Sequence, residues 1–267
     1  MRVLRLLLPC ALLAAPMLAG FGCAKSGDAA KRPEIQEPDP WETPEGRERV
    51  RLELARAMLE SGDAVGALGI VAQARAEGSS GSELDLLQAR GFMLQALNSE
   101  AERMLLDVQR ALPRDPRVPT WLGVIYADTG RVPEAIESFE RAVKLDDASA
   151  QAWNNLGFLL MSQRSFPEAI EALQRAVELD PMQVKYRNNL AFSLAASGRL
   201  AEALQLFGTT SAPADAHANL ALALELGGDR TQALVHYQHA LVSDPNNTAA
   251  NAGIQRLNTS RSPEQNP

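Results

Sequence analysis

The sequence repeats itself with a period of 34 residues through its middle part. The stretches "LGVIYADTGRVPEAIESFERAVKLDD" and "LGFLLMSQRSFPEAIEALQRAVELDP" show this period most clearly, because small and large residues recur at the same places. Four pairs of positions have this spacing: Leu122 and Leu156, Ala135 and Ala169, Ala142 and Ala176, and Asp146 and Asp180. Such a period predicts a supersecondary unit that cannot bury its apolar faces alone and therefore stacks on neighbouring copies.

Composition indicates that each unit is helical. Hydrophobic residues make up 46% of the chain but aromatic residues only 5%, and alanine and leucine supply the difference. Both are strong helix formers. A small residue such as Gly157 would let two helices approach closely. Gly198 and Gly228 supply the backbone freedom that a turn between helices needs, while Pro181 and Pro245 would end the second helix of a unit.

The period and its residue signature resemble the tetratricopeptide repeat, a helix–turn–helix unit. The resemblance implies an all-α fold, a right-handed superhelical α-solenoid of about six such repeats, over residues 48–258. We expect the repeats to start near residues 48, 82, 116, 150, 184 and 214. A closing helix is predicted at 248–258, followed by a disordered tail at 259–267.

One interval breaks the period. The step from Val184 to Ala214 is 30 residues instead of 34. Four residues are about one helical turn, so the second helix of the fifth repeat should stop early, at Gly208. The last repeat should then be rotated relative to the regular stack. A tolerated deletion and a dedicated hinge both account for this interval.

The first 22 residues have the features of a secretory signal peptide of the lipoprotein type. Arg2 and Arg5 precede an apolar run at 6–18 that is too short to span a bilayer comfortably, and small residues follow it. An uncleaved membrane anchor is the alternative interpretation.

Cys23 would be the single cysteine of the exported chain, because Cys10 lies in the signal. The stretch "LAGFGC" resembles a bacterial lipoprotein processing site, which implies that Cys23 becomes a lipidated N-terminus. Residues 23–47, rich in proline and charge, would form a tether. The protein would then be anchored in the cell envelope, at the outer membrane, facing the periplasm. Ordinary cleavage near Ala24 would instead give a soluble periplasmic protein.

Asparagine recurs at one phase of the repeat. The pairs Asn154–Asn155 and Asn188–Asn189 lie 34 residues apart, and each is followed by leucine, a small residue and phenylalanine. The resemblance places positions 2, 5, 6, 9, 12 and 13 of each unit on the concave face. We therefore predict a peptide-binding groove lined by Trp121, Asn154, Asn155, Phe158, Lys185, Asn188, Asn189, Phe192, Asn219 and Leu222.

The amides of this groove suit the backbone of an extended peptide, because each offers a donor and an acceptor. The phenylalanines would hold apolar side chains of the peptide. An unoccupied, solvated face is one alternative. A groove filled by the protein's own tether is another.

The net charge of −7 provides no basic surface for nucleic acid.

Catalysis has little support in the sequence. The chain contains no phosphate-binding loop, no His-Glu-x-x-His and no Gly-x-Ser-x-Gly. We expect no enzymatic activity, no cofactor and no small-molecule substrate. His236 and His239 could share one helix face, but no carboxylate or cysteine is in phase with them, so no metal site is predicted.

The signal, the tether and the repeats together resemble bacterial envelope biogenesis factors. The stretch "NNLAFSLAASGRLAEALQLF", followed by "ADAHANLALALELGGDRTQAL", resembles the TadD lipoproteins of tight-adherence (Flp) pilus assembly. The resemblance implies a lipid-anchored scaffold or adaptor that binds partner proteins in pilus or secretion-machine assembly. A pilotin-like factor, an adaptor for hydrolases or proteases, and an enzyme with an unrecognised site are the alternatives.

Overall fold

The computed structural model describes residues 43–259, and within this range the chain is helical throughout, with short turns and no strand. The helices are α1 (Pro44–Glu60), α2 (Ala64–Ala76), α3 (Ser82–Leu94), α4 (Asn98–Ala111), α5 (Arg117–Asp128), α6 (Val132–Leu145), α7 (Ala150–Ser162), α8 (Phe166–Leu179), α9 (Val184–Ala196), α10 (Leu200–Gly208), α11 (Pro213–Gly227), α12 (Arg230–Ser243) and α13 (Thr248–Thr259). None of them combines the length and the apolar character needed to cross a membrane.

Successive helices pack as hairpins, from α1 with α2 to α11 with α12. The second helix of each hairpin also contacts the first helix of the next one, and α13 packs on both α11 and α12. Each element therefore contacts its near neighbours along the chain, which is the arrangement of a solenoid. The predicted all-α solenoid of helix–turn–helix units is confirmed.

Most first helices begin where the period places them. Helices α3, α7 and α9 begin at Ser82, Ala150 and Val184, the residues predicted to start their units. Helices α5 and α11 begin at Arg117 and Pro213, each one residue from the predicted start. Helix α10 is shortened as expected, with 9 residues against 14 in both α8 and α12. The rotation of the last repeat stays a prediction.

The first unit starts earlier than the period predicts. Helix α1 begins at Pro44 and not at Glu48, so residues 44–47 belong to the solenoid and not to the tether. The hydroxyl of Thr43 accepts a hydrogen bond from the Gly46 amide at 3.0 Å, and Pro44 follows this cap. A capping side chain followed by proline starts a helix locally, whatever the phase of the repeat. The signal, Cys23, the rest of the tether and residues 260–267 lie outside the described residues.

Small residues set the distance between the two helices of a hairpin. In the fourth unit, a Cβ atom on Gly157 would lie 2.6 Å from Cγ of Leu173 and 3.0 Å from the Ala169 carbonyl oxygen. Ala169 and Ala176 on the facing helix are both fully buried. The helices are therefore closer at this point than any residue larger than glycine would allow.

The turn inside each hairpin contains one residue in the left-handed region. Its place is the same in all six units, and it is occupied by Gly62, Ala96, Gly130, Arg164, Gly198 and Gly228. The glycines have φ between 75° and 91°, whereas Ala96 and Arg164 have φ of 58° and 62°. An L side chain costs about 1–2 kcal/mol in this conformation, so the turns of the second and fourth units are strained.

Replacing Arg164 by glycine should relieve this strain. Arg164→Gly is expected to raise the free energy of unfolding by about 0.5–1 kcal/mol, which is the relief of strain less the extra backbone entropy of glycine. Urea denaturation followed by circular dichroism would measure it. The matched control is Gln163→Gly, where φ is −85° and glycine brings only the entropic cost. An Arg164→Gly protein no more stable than the parent would contradict the argument.

Candidate partner-binding groove

The asparagine pairs of α7 and α9 are joined by hydrogen bonds. Nδ2 of Asn189 donates to Oδ1 of Asn154 at 2.8 Å, and Nδ2 of Asn154 donates to Oδ1 of Asn155 at 3.3 Å. Three amides thus form one chain from the first helix of the fifth unit to that of the fourth. Because such bonds are directional, they hold the two helices in one register.

Asn154 was predicted to contact a partner, and this assignment is wrong. Its side chain is 1% exposed, and both ends of its amide are used inside the protein. A buried amide needs internal partners because an unpaired one is costly, and Asn189 of the next unit supplies one. The role of Asn154 is to bridge two repeats.

The Asn188 side chain has a different internal partner. The hydroxyl of Thr210 donates to Oδ1 of Asn188 at 2.8 Å. Thr210 lies in the turn that follows the short helix α10, so the bond ties this turn to the first helix of its own unit. Asn188 is only half-buried, but its carbonyl oxygen is already engaged.

Four predicted asparagines keep hydrogen-bonding groups that no described residue uses, and these include Nδ2 of Asn188 and Oδ1 of Asn189. Asn155 and Asn219 are half-buried. Asn155 uses its oxygen for Asn154, and its Nδ2 donates to no described residue. The Asn219 side chain forms no hydrogen bond with the rest of residues 43–259. Lys185 is exposed, as a groove residue would be.

The apolar groove residues differ in exposure. Phe158 is 49% exposed, although it is a large apolar side chain. Phe192 is partly buried and meets Phe207 edge to face, with ring centroids 5.2 Å apart. Leu222 is half-buried. Phe158 is therefore the one of the three most open to a partner.

A pocket of about 450 Å³ opens beside Phe192, between the first helices of the last three units and the fourth turn. Its apolar walls include Met161, Phe166 and Leu226, and Leu226 is 76% exposed. Sequence reasoning included positions 12 and 13 of the repeat in the groove but assigned no residue there. Met161 stands at position 12 and Leu226 at position 13, so the signal was present in the repeat phase.

A second pocket at the other end of the groove is lined by both apolar and charged side chains. A pocket of about 200 Å³ between α1, α3 and α5 is lined by Trp121 together with Arg90, Arg117 and Glu83. Arg117 donates to both carboxylate oxygens of Glu83, at 3.0 and 2.8 Å. The guanidinium of Arg117 holds the pKa of Glu83 below its usual range, so this ion pair persists at neutral pH. The structure thus places Trp121 in a pocket that also contains Leu59, Leu86 and Leu87, separate from the pocket at Phe192.

The stacked hairpins and the open face of their first helices define a class, the helical-repeat proteins. Family models identify the repeat. Residues 123–164 match a model described as TPR repeat, and residues 150–182 and 184–210 match models described as tetratricopeptide repeat. The chain therefore carries tetratricopeptide repeats, and this part of the resemblance is confirmed. A search of curated protein sequences finds no match.

Solved structures share the fold. YrrB, described as a TPR protein with an unusual peptide-binding site, is 22% identical, with a TM-score of 0.57 over 69% of this chain and 97% of its own. Pseudomonas aeruginosa pilF is 17% identical, with a TM-score of 0.60 over 79% and 99%. A chain of the APC/C Cut9–Hcn1 hetero-tetramer is 16% identical, with a TM-score of 0.58 over 78% and 42%. At these identities the likeness establishes the fold alone.

Removing the bridging amide should destabilise the solenoid. Asn154→Ala removes two hydrogen bonds, to Asn189 and to Asn155, each worth about 0.5–1.5 kcal/mol, so it should cost about 1–3 kcal/mol. The matched control is Asn219→Ala, which removes an amide that bonds to no described residue and should change stability by about 0.5 kcal/mol or less. Chemical denaturation of both variants would test the difference. Equal stabilities would show that the bridge contributes nothing.

Proposed function

We propose that this protein is a scaffold that binds an extended segment of a partner protein along the face of its first helices. The proposal rests on two observations: Phe158 of α7 is half-exposed, and the same helix supplies Met161 to the pocket at Phe192 and Leu226. Large apolar side chains held open to water in a concave surface are typical of a site that a partner covers.

The chemistry of this face suits an extended chain. Asn155 and Phe158 are three residues apart on α7, and Asn219 and Leu222 repeat that spacing on α11, so each helix presents an amide beside an apolar side chain. The amides would bond to the partner's backbone, and the pocket would accept a bulky apolar side chain. A volume of about 450 Å³ lies within the usual range for binding pockets.

The first experiment identifies the segment of the partner that contacts the groove. A photo-crosslinking amino acid placed at Leu226 in the native host should capture a partner, whereas the same group at Val242 should not. Val242 is similarly exposed, at 83%, but belongs to the second helix of its hairpin. Mass spectrometry of the crosslinked peptide then supplies a synthetic ligand for affinity measurements.

Groove variants should weaken binding of that ligand without unfolding the protein. Asn219→Ala, which breaks no hydrogen bond among the described residues, should raise Kd about two- to tenfold, because a lost hydrogen bond is worth about 0.5–1.5 kcal/mol. Phe158→Ala should have at least as large an effect, since aromatic anchors are common hot spots. Fluorescence anisotropy would measure both. Unchanged affinity in these variants, with loss on Val242→Ala, would move the site to the second-helix face and defeat the proposal.

We further propose that the scaffold is lipid-anchored through Cys23 at the outer membrane, faces the periplasm and serves pilus or secretion-machine assembly. The support is the resemblance of the N-terminal segment to a lipoprotein signal and of the later repeats to TadD lipoproteins. Lipoproteins carry more than one acyl chain, which is enough for stable anchoring. The identity of the crosslinked partner distinguishes this role from a pilotin-like factor or an adaptor for hydrolases or proteases.

Anchoring has its own test. Cys23→Ser should leave the precursor unprocessed by lipoprotein signal peptidase or release the solenoid from the membrane fraction. Membrane fractionation and mass spectrometry of the mature N-terminus would report it. A mature, unmodified chain that starts after Ala24 would support the soluble periplasmic alternative.

A further inference from the structure

The turn of the fourth unit carries a charged residue where four of the other five units have glycine. Arg164 has a φ of 62°, in the left-handed region that favours glycine. Glycine would occupy this place without strain, so the arginine lowers the stability of the fold. Strained residues that persist are concentrated at functional sites. Ala96 is strained in the same way, but it has no charge and does not line the pocket at Phe192.

Arg164 lies at the pocket of about 450 Å³ that opens beside Phe192. Three first helices contribute to this pocket, namely α7, α9 and α11. Only two of its lining residues have polar side chains, Ser162 and Arg164. The hydroxyl of Ser162 donates to the Leu159 carbonyl oxygen at 2.6 Å, so it is already engaged. The guanidinium of Arg164 is exposed and bonds to no other residue among 43–259.

The charge of Arg164 is not balanced at the pocket. Among the described residues, no carboxylate lines it. Glu225, next to Leu226 on α11, accepts hydrogen bonds from Arg256 at 3.1 and 3.0 Å and from the Tyr237 hydroxyl at 2.6 Å. This carboxylate is therefore committed to α12 and α13. An unpaired cation thus stands beside the apolar side chains that form much of the pocket wall.

A guanidinium is suited to a carboxylate, because its planar N–H groups can donate two parallel hydrogen bonds to the two oxygens. When an apolar side chain of a partner fills the pocket, a carboxylate next to it in the partner's sequence comes within reach of the rim. The partner also excludes water from the pair. The attraction then exceeds that of an ion pair on an open surface.

We propose that the partner segment carries an aspartate or glutamate beside its bulky apolar residue, and that Arg164 binds this carboxylate. This inference rests on the proposed function, because the pocket is the one that would receive the apolar side chain. Arg164 would then determine specificity, since it favours acidic segments over others with the same apolar anchor.

The carboxylate belongs to a side chain of the segment and not to the end of a chain. Helices α7, α9 and α11 all line the pocket, and the outer two also carry Asn155 and Asn219. A segment that crosses all three helices continues on both sides of the pocket. Its backbone can therefore reach both amides only if the charge is internal.

The test selects short random peptides, displayed with both ends joined to a carrier, on the full-length mature protein. Peptides that bind the wild type should have Asp or Glu within about two residues of a bulky apolar residue, the distance that one pocket and its rim can span. Arg164→Gly should keep the apolar preference and lose the acidic one. Arg164→Glu should select Lys or Arg instead. The matched control is Ala96→Gly, the same exchange at the equivalent turn of the second unit, which should select the same peptides as the wild type.

The outcomes separate this inference from the proposed function. Apolar peptides without an acidic preference, or an acidic preference that survives in Arg164→Gly, would overturn the role of Arg164 and leave the groove intact. A second library with free C-termini that yields only terminal apolar residues would assign the carboxylate to a chain end and overturn the inference. Failure to enrich any peptide would contradict both proposals together.

Affinity and stability should change in opposite directions in Arg164→Gly. A synthetic copy of an enriched acidic peptide should bind this variant about three- to tenfold more weakly than the wild type, because a partly covered ion pair lies between an exposed and a buried one. Ala96→Gly should gain stability and keep its affinity. Added NaCl should weaken binding to the wild type more than to Arg164→Gly, since salt screens the pair. Fluorescence anisotropy and urea denaturation measure the two quantities. An unchanged Kd in Arg164→Gly would overturn the inference.

Discussion

The structure depends on the close approach of two helices at a glycine. At Gly157 no larger residue fits against Leu173 and the backbone of Ala169. The same constraint recurs at Gly123 against the Phe139 ring and, past the last hairpin, at Gly253 against Tyr237. Large side chains of neighbouring hairpins pack together beside these close contacts, and the hairpins therefore stack. Among residues 43–259, one edge of the first helices is then left exposed.

That free edge explains why polar and apolar groups coexist on the candidate groove. The first helix of a unit must bury one side in the stack, yet among residues 43–259 its other side is exposed, as at Phe158 and Leu226. Asn154 lies just within the stack and is satisfied there, whereas Phe158, one turn further on, is half-exposed. A change of about one turn along the same helix therefore separates a structural amide from a candidate contact residue.

Much of the fold could be predicted from the sequence, because a fixed period fixes where helices start and which faces are apolar. The early start of α1 could not, since the cap at Thr43 acts locally and ignores the period. Asn154 is buried together with its hydrogen bond to Asn189 in the next unit. Position within the repeat cannot predict this, because it makes Asn154 and Asn188 equivalent. The hydrogen bond between His217 of α11 and His236 of α12 joins two helices, and spacing along one helix cannot reveal such a contact.

The buried apolar residues of the described solenoid form three clusters, and the second boundary between them lies in the fourth unit. One buried cluster ends with Leu159 and Ala172, and another begins with Ile170 and Leu173, so the boundary runs through the fourth unit. The amide chain from Asn189 to Asn154 crosses that boundary. Helical-repeat proteins unfold in cooperative segments whose coupling is set at each interface. At this interface the coupling includes directional hydrogen bonds, so the two clusters on either side are joined through a specific geometry as well as through buried area. Unfolding that begins in the last unit and spreads past the fourth must break these hydrogen bonds on its way.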